Sequence, residues 1–192
     1  MISIKSLASF ETGTAQFRIR EDTGADSKTY SFYTQADLDD DLKQMPTSQT
    51  TRKCMRTSDS VVTVATGDVL FSLVSGSAAI VQAERSGLLI TQNYVVIKPS
   101  NNIDPRFLVY LLNENPEIRK QLRIGQQGSA TMKYTLKQLT SLQAPPIPDF
   151  RRQALIGETY LNQLRLTALR NHASELETML VFDMLKEANH HE

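Results

Sequence analysis

A chain of 192 residues, 40% apolar and 22% charged, has material for one domain with a real core plus an appendage. Its 21 basic and 21 acidic residues cancel, which excludes a general polycation and leaves only local charge to read. Apolar runs such as residues 69–74 are too short to span a bilayer, residues 1–10 carry no secretory pattern, and the lone Cys54 excludes an intrachain disulfide or a thiolate metal cluster. A cytoplasmic protein is expected.

In chain order, residues 2–10 alternate like a first strand that Gly13 breaks. Gly24 precedes a strand-like stretch at residues 29–33, and a polar segment with four acids follows at residues 37–41. Residues 46–60 lack periodicity and read as a long loop. Residues 60–65, 69–74, 78–82, 88–91 and 94–98 read as short strands, separated by turns at Thr66-Gly67-Asp68, Gly76-Ser77 and Gly87. Together they predict a small twisted or barrel-like sheet.

A helix is predicted from Asp104-Pro105, with Asp104 as N-cap, Pro105 in the first helical position, and Phe107, Leu108, Leu111 and Leu112 turned to the sheet. A second helix starts at Asn115-Pro116. From Ile118 to Pro148 the chain carries five cations, Arg119, Lys120, Arg123, Lys133 and Lys137, and no acid. Within that stretch residues 125–133 hold two glycines, two amides and two hydroxyls, the densest hydrogen-bonding group in the chain. A basic segment in a neutral protein suits local grip on an anion such as a phosphate backbone; a solvated helix face has the same composition.

Pro145-Pro146-Ile147-Pro148 then separates two kinds of structure, because proline cannot continue a helix and pushes its predecessor toward extended backbone. Beyond it, no glycine follows Gly157, and residues 149–187 read as one long helix with a disordered tail at residues 188–192. The predicted division is a domain at residues 1–148 joined to that helix by a stiff hinge. Leu166, Leu169, Ala173, Leu176 and Leu180 alternate at spacings of three and four and form a pairing seam; Leu155, Leu161 and Leu164 add apolar surface off it. The other reading of the helix is that it folds back onto its own domain.

Catalytic signatures are missing. His172, His190 and His191 sit on the helix or its tail, Asp68 and Glu84 stand alone, and Gly125-x-x-Gly128 is too short for a phosphate-binding loop. A non-catalytic protein without a cofactor or a metal is expected.

An ordered series of short motifs resembles a target-recognition domain of the DNA-specificity (S) subunits of type I restriction-modification systems. It runs through Gly67-Asp68-Val69-Leu70-Phe71-Ser72, Gly76, Thr91-Gln92-Asn93-Tyr94, and Ile97-Lys98-Pro99. It continues through Ile103-Asp104-Pro105-Arg106-Phe107-Leu108, Tyr110-Leu111-Leu112, Gly128-Ser129, Ala144-Pro145-Pro146-Ile147-Pro148, Arg152-Gln153 and Ile156. A full S subunit carries two such domains and two long helices, so this chain is similar to a half-subunit. The resemblance implies an α+β domain, double-stranded DNA as ligand, and methyltransferase subunits bound along the helix. The restriction subunit is a further partner, and the chemistry lies in those partners. Phosphate contacts are expected from Arg119, Arg123 and Lys133, and base contacts from Gln126, Gln127, Ser129, Thr131, Arg18 and Arg20. A two-fold homodimer through the helix would read a bipartite, palindromic target. The competing expectation is an adaptor or decoy that binds the methyltransferase without reading DNA.

Overall fold

The computed structural model describes residues 1–24, 26–46, 52–125 and 133–190. A four-stranded antiparallel sheet of order β2-β7-β5-β6 forms the centre, from β2 (Ala8–Thr12), β5 (Val69–Ser72), β6 (Ala78–Ile80) and β7 (Tyr94–Pro99). Side chains alternate between its two faces, and both faces are covered. Val69, Phe71, Val95 and Ile97 point to one layer with Phe107, Leu108, Leu111, Leu112, Ile118 and Leu122. Leu70, Val96 and Tyr94 point to the other, with Tyr33, Leu38, Leu88 and Ile90. This double burial explains why β5 reads as an unbroken apolar run rather than an alternation.

Three helices build the first layer's outer wall. In α2 (Pro105–Glu114) the Asp104 carboxylate accepts from the N–H groups of Arg106, at 2.8 Å, and Phe107, and Pro105 occupies the first turn. Asn115 caps α3 (Pro116–Ile124) in the same way. Both starts are as the sequence predicts. The third, α4 (Leu136–Ser141), begins with a reciprocal capping box between Thr135 and Gln138. Strand β8 (Gln143–Ala144) pairs with β1 (Ile2–Ser3), tying the N-terminus to the segment just before Pro145. The predicted first strand is therefore two strands, split by a 3-10 turn at Ile4–Ser6.

Opposite that wall lies α1 (Gln35–Lys43), the acid-rich segment for which no helix was predicted. Thr34 and Asp37 form its capping box, but its inward face carries Asp37, Asp40 and Asp41, all at most 6% exposed. These carboxylates converge on Arg85, which is as buried: Nε lies 3.2 Å from Asp37, Nη2 2.8 Å from Asp40 and Nη1 3.1 Å from Asp41. Tyr33 donates to Asp41 at 2.7 Å and Arg52 to Asp37 at 2.5 Å. A binary pattern cannot find a helix whose buried face is charged. Another correction falls on residues 46–60, where Cys54–Thr57 is a strand, β4, paired with β3 (Lys28–Ser31) in a two-stranded ribbon. Residues 60–65 and 88–91, predicted as strands, contribute isolated bridges such as Thr63 to Leu89.

The longest element is α5 (Phe150–His190), 41 residues and about 60 Å at the usual rise. The proline segment before it is no free hinge. Gln153, 2% exposed, donates through Nε2 to the carbonyls of Asn102 and Pro148, at 3.1 and 2.9 Å, and accepts from the Asp104 N–H at 3.0 Å. One turn on, Gly157 lies so close to α2 that any Cβ would run into the backbone of Arg106 and Phe107. Tyr160 donates to Glu114 at 3.0 Å, and Leu161 is buried in the first layer. The root of α5 thus packs on its own domain, whereas every side chain described after Ala168 is exposed. The fold-back reading therefore holds for the root of the helix, and the segment that carries most of the proposed seam is exposed.

Candidate nucleic-acid interface

The sheet ends in two turns that gather the candidate cations. Gly76 adopts φ +69°, and the Tyr134 ring occupies the space a Cβ would need, so only glycine fits. Arg119 reaches this turn from α3 and donates through Nη1 to the Gly76 carbonyl at 2.6 Å. The guanidinium expected to grip phosphate is half-buried and spends part of its donor set inside the domain. Arg123, on the last turn of α3, is exposed.

The neighbouring turn, Thr91-Gln92-Asn93, is flanked from both sides. Lys133 is exposed and its Nζ lies 3.5 Å from Asn93 Oδ1, while the chain entering the 3-10 turn Gln16–Arg18 is pinned by Gly13 N–H to Tyr94 O and Thr14 N–H to Ile90 O, each at 3.0 Å. That turn presents Phe17, 78% exposed, with the Arg18 guanidinium 5.6 Å from its ring centroid. Arg20 is exposed, its backbone N–H held by Asp59 at 2.8 Å. Lys133 thus lies beside the Thr91-Gln92-Asn93 turn, to which Gly13 and Thr14 are also tied, while Arg20 is anchored at Asp59. Gln126, Gln127, Ser129 and Thr131 lie outside the described residues.

Charge partition separates structural cations from available ones. Arg52, Arg85 and Arg106 are paired with carboxylates. Arg18, Arg20, Arg123 and Lys133 enter none of the ion pairs found among the described residues. Exposed and unpaired, they can trade solvent for phosphate oxygens at small desolvation cost. The β3–β4 ribbon adds exposed cations. Lys28 stands on β3 and Lys53 just before β4, with Lys53 Nζ 5.9 Å from the Phe32 ring centroid. Arg56 is committed instead to the carbonyls of Gly24 and Ser27, at 3.1 and 3.4 Å. The signal that could have revealed the ribbon is the four-residue spacing of Arg52 and Arg56 beside the apolar Met55 (packed with Ile19, Phe32 and Leu89).

Among the described residues no group of three or more His, Cys, Asp or Glu is placed to hold a metal, and no helix is long and apolar enough to cross a membrane. Cys54 is a free, exposed thiol.

Comparison with solved structures defines the class of fold: an α+β domain with a long terminal helix, as in type I restriction-modification S subunits. The HsdS subunit from Thermoanaerobacter tengcongensis is similar over 97% of this chain and 42% of its own, at 18% identity and a TM-score of 0.57. The S subunit from M. genitalium matches 95% of this chain and 41% of its own, at 13% identity and a TM-score of 0.51. A third structure, described in terms of complex assembly and conformational transition of the type I R-M system, gives 17% identity and a TM-score of 0.60 over 97% and 43%. The chain thus spans about two-fifths of the length of these structures and has the fold of one half of an S subunit. No family model and no curated protein matches it.

Proposed function

We propose that this chain is a sequence-specific DNA-binding subunit of the half-S type in a type I restriction-modification system, without catalytic activity of its own. It pairs through α5, reads a bipartite palindromic target, and docks methyltransferase subunits that carry out the chemistry, with the restriction subunit as a further partner. The observation that supports this most strongly is likeness in fold along nearly the whole chain to half of an S subunit. Exposed cations free of ion pairs, with Lys133 beside the Thr91-Gln92-Asn93 turn, supply the anion grip that such a role requires, and the exposed far half of α5 supplies an assembly surface.

In this reading Arg123 and Lys133 hold phosphates, which fixes position without reading sequence. Arg18 and Arg20 are the forked donors available to base edges among the described residues, and Gln126, Gln127, Ser129 and Thr131 complete the proposed reading set. Mobility shifts of a labelled duplex across a salt series test this. Affinity should fall steeply between about 50 and 200 mM salt, and Arg123→Ala or Lys133→Ala should each reduce the log–log slope by about one. Salt-independent binding, or none with or without a methyltransferase subunit, favours the adaptor reading instead.

A further inference from the structure

The central sheet has two edges, and the domain's own side chains close one of them. On the β6 side, the Ser72 N–H donates to the Ser77 carbonyl at 2.9 Å, so Ala78 and Ile80, in the opposite phase of that ladder, turn their backbone groups outward. Asn113 Oδ1 accepts from the Ala78 N–H at 2.7 Å, and its Nδ2 donates to the Ala78 carbonyl at 2.9 Å. Gln82 Nε2 donates to the Ile80 carbonyl, also at 2.9 Å. Helices α1 and α2 pack against the same strand.

The β2 edge has the same construction and no such closure. The Ser100 N–H donates to the Leu7 carbonyl at 2.8 Å and the Gly13 N–H to the Tyr94 carbonyl at 3.0 Å, which puts Leu7, Ser9, Glu11 and Gly13 on the ladder to β7. The N–H and C=O groups of Ala8, Phe10 and Thr12 therefore face away from the sheet, and they meet no hydrogen-bond partner among the described residues. The devices that blunt an edge are missing too. The strand has no proline, and its register with β7 runs unbroken from Ala8 to Thr12. Its one charge, Glu11, is exposed and lies 3.6 Å from Lys98. A groove of about 590 Å³ runs between this edge and α4. Half-buried Phe10 and Leu136, 36% exposed, give it apolar surface. Lys5 and Lys137 line it as well, exposed and in none of the ion pairs found among the described residues.

We propose that the β2 edge takes an extended segment of a partner protein as a fifth strand, its side chains alternating apolar and polar and its end beside Ala8 acidic. Each part of that description answers a feature of the groove. Donors and acceptors that alternate at Ala8, Phe10 and Thr12 match the backbone of another strand. A nucleic-acid phosphate only accepts, and would leave the three carbonyls of those residues facing it. Residues of an added strand that turn toward α4 meet Phe10 and Leu136 and are apolar, while those between them face solvent. The ammonium groups of Lys5 and Lys137, at the Ala8 end of the groove, are complementary to carboxylates.

Fluorescence anisotropy with the full chain tests this, using as probe a labelled heptapeptide of two glutamates followed by alternating valine and threonine. Saturable binding is expected below about 1 mM. N-methylation of either the valine or the threonine amides distinguishes a strand from a loose charge contact: one phase should abolish binding and the other leave it unchanged, because alternate N–H groups of an added strand face solvent. Lys5→Glu with Lys137→Glu, both at exposed positions, should weaken the glutamate probe about tenfold and favour a probe headed by two lysines. Thr12→Pro removes an outward donor without touching the ladder to β7, and should weaken the glutamate probe while circular dichroism stays unchanged. No binding of the glutamate probe up to about 1 mM, or equal losses from both N-methyl phases, overturns the proposal. So does a random DNA duplex that displaces the probe and loses affinity in the double lysine variant but not in Thr12→Pro, which would give the groove to phosphate.

Discussion

Gln153 holds three backbone groups from two segments, Asn102 and Asp104 at the start of α2 and Pro148 before α5, and the buried Asp104 N–H loses its acceptor without it. Gln153→Ala should lower unfolding free energy by about 1–3 kcal/mol, the cost of one orphaned buried group, as read by urea unfolding. Gly157→Ala sets two effects against each other. Helix propensity favours alanine by about 1 kcal/mol, but a Cβ there meets backbone that cannot swing aside, and overpacking costs about 1–3 kcal/mol. Net destabilisation is expected. Asp104 gives a pH signature. Burial opposes its ionisation, but the Arg106 guanidinium and the N–H groups of the helix start outweigh that and hold its carboxyl below the ordinary 3.8. A depressed carboxylate contributes stability above its unfolded pKa and loses it as pH falls through the folded one. Asp104→Asn should therefore flatten the loss of stability below about pH 3.8 in an acid titration followed by circular dichroism.

At the scale of elements, the legible parts are those whose signals are local. Asp104-Pro105 and Asn115-Pro116 are read correctly as helix starts because a cap and a proline act within one turn. The helix α1 was invisible because its partner, Arg85, lies more than forty residues away and turns three carboxylates inward. Arg85→Met should cost about 3–5 kcal/mol by stranding those charges, a larger loss than its removed packing alone would cause. The ribbon strand β4 was missed for a related reason: its pairing with β3 is set by register across a long intervening segment. In the candidate interface, Arg18 and Arg20 could be named from the sequence. The anchoring of the Arg20 backbone at Asp59, thirty-nine residues on, could not.

For the whole molecule, the root of α5 is clamped and its far half is bare, so the orientation of the domain on the helix is set before any partner arrives. In the proposed function, two copies paired through α5 would hold two identical domains at a fixed separation, and a bipartite target follows from that proposal. The most direct measurement is selection of bound sequences from a random duplex pool by the purified chain. Enrichment of two identical inverted half-sites at one constant spacing is expected. A single unrepeated half-site, or no enrichment over the starting pool, would contradict it.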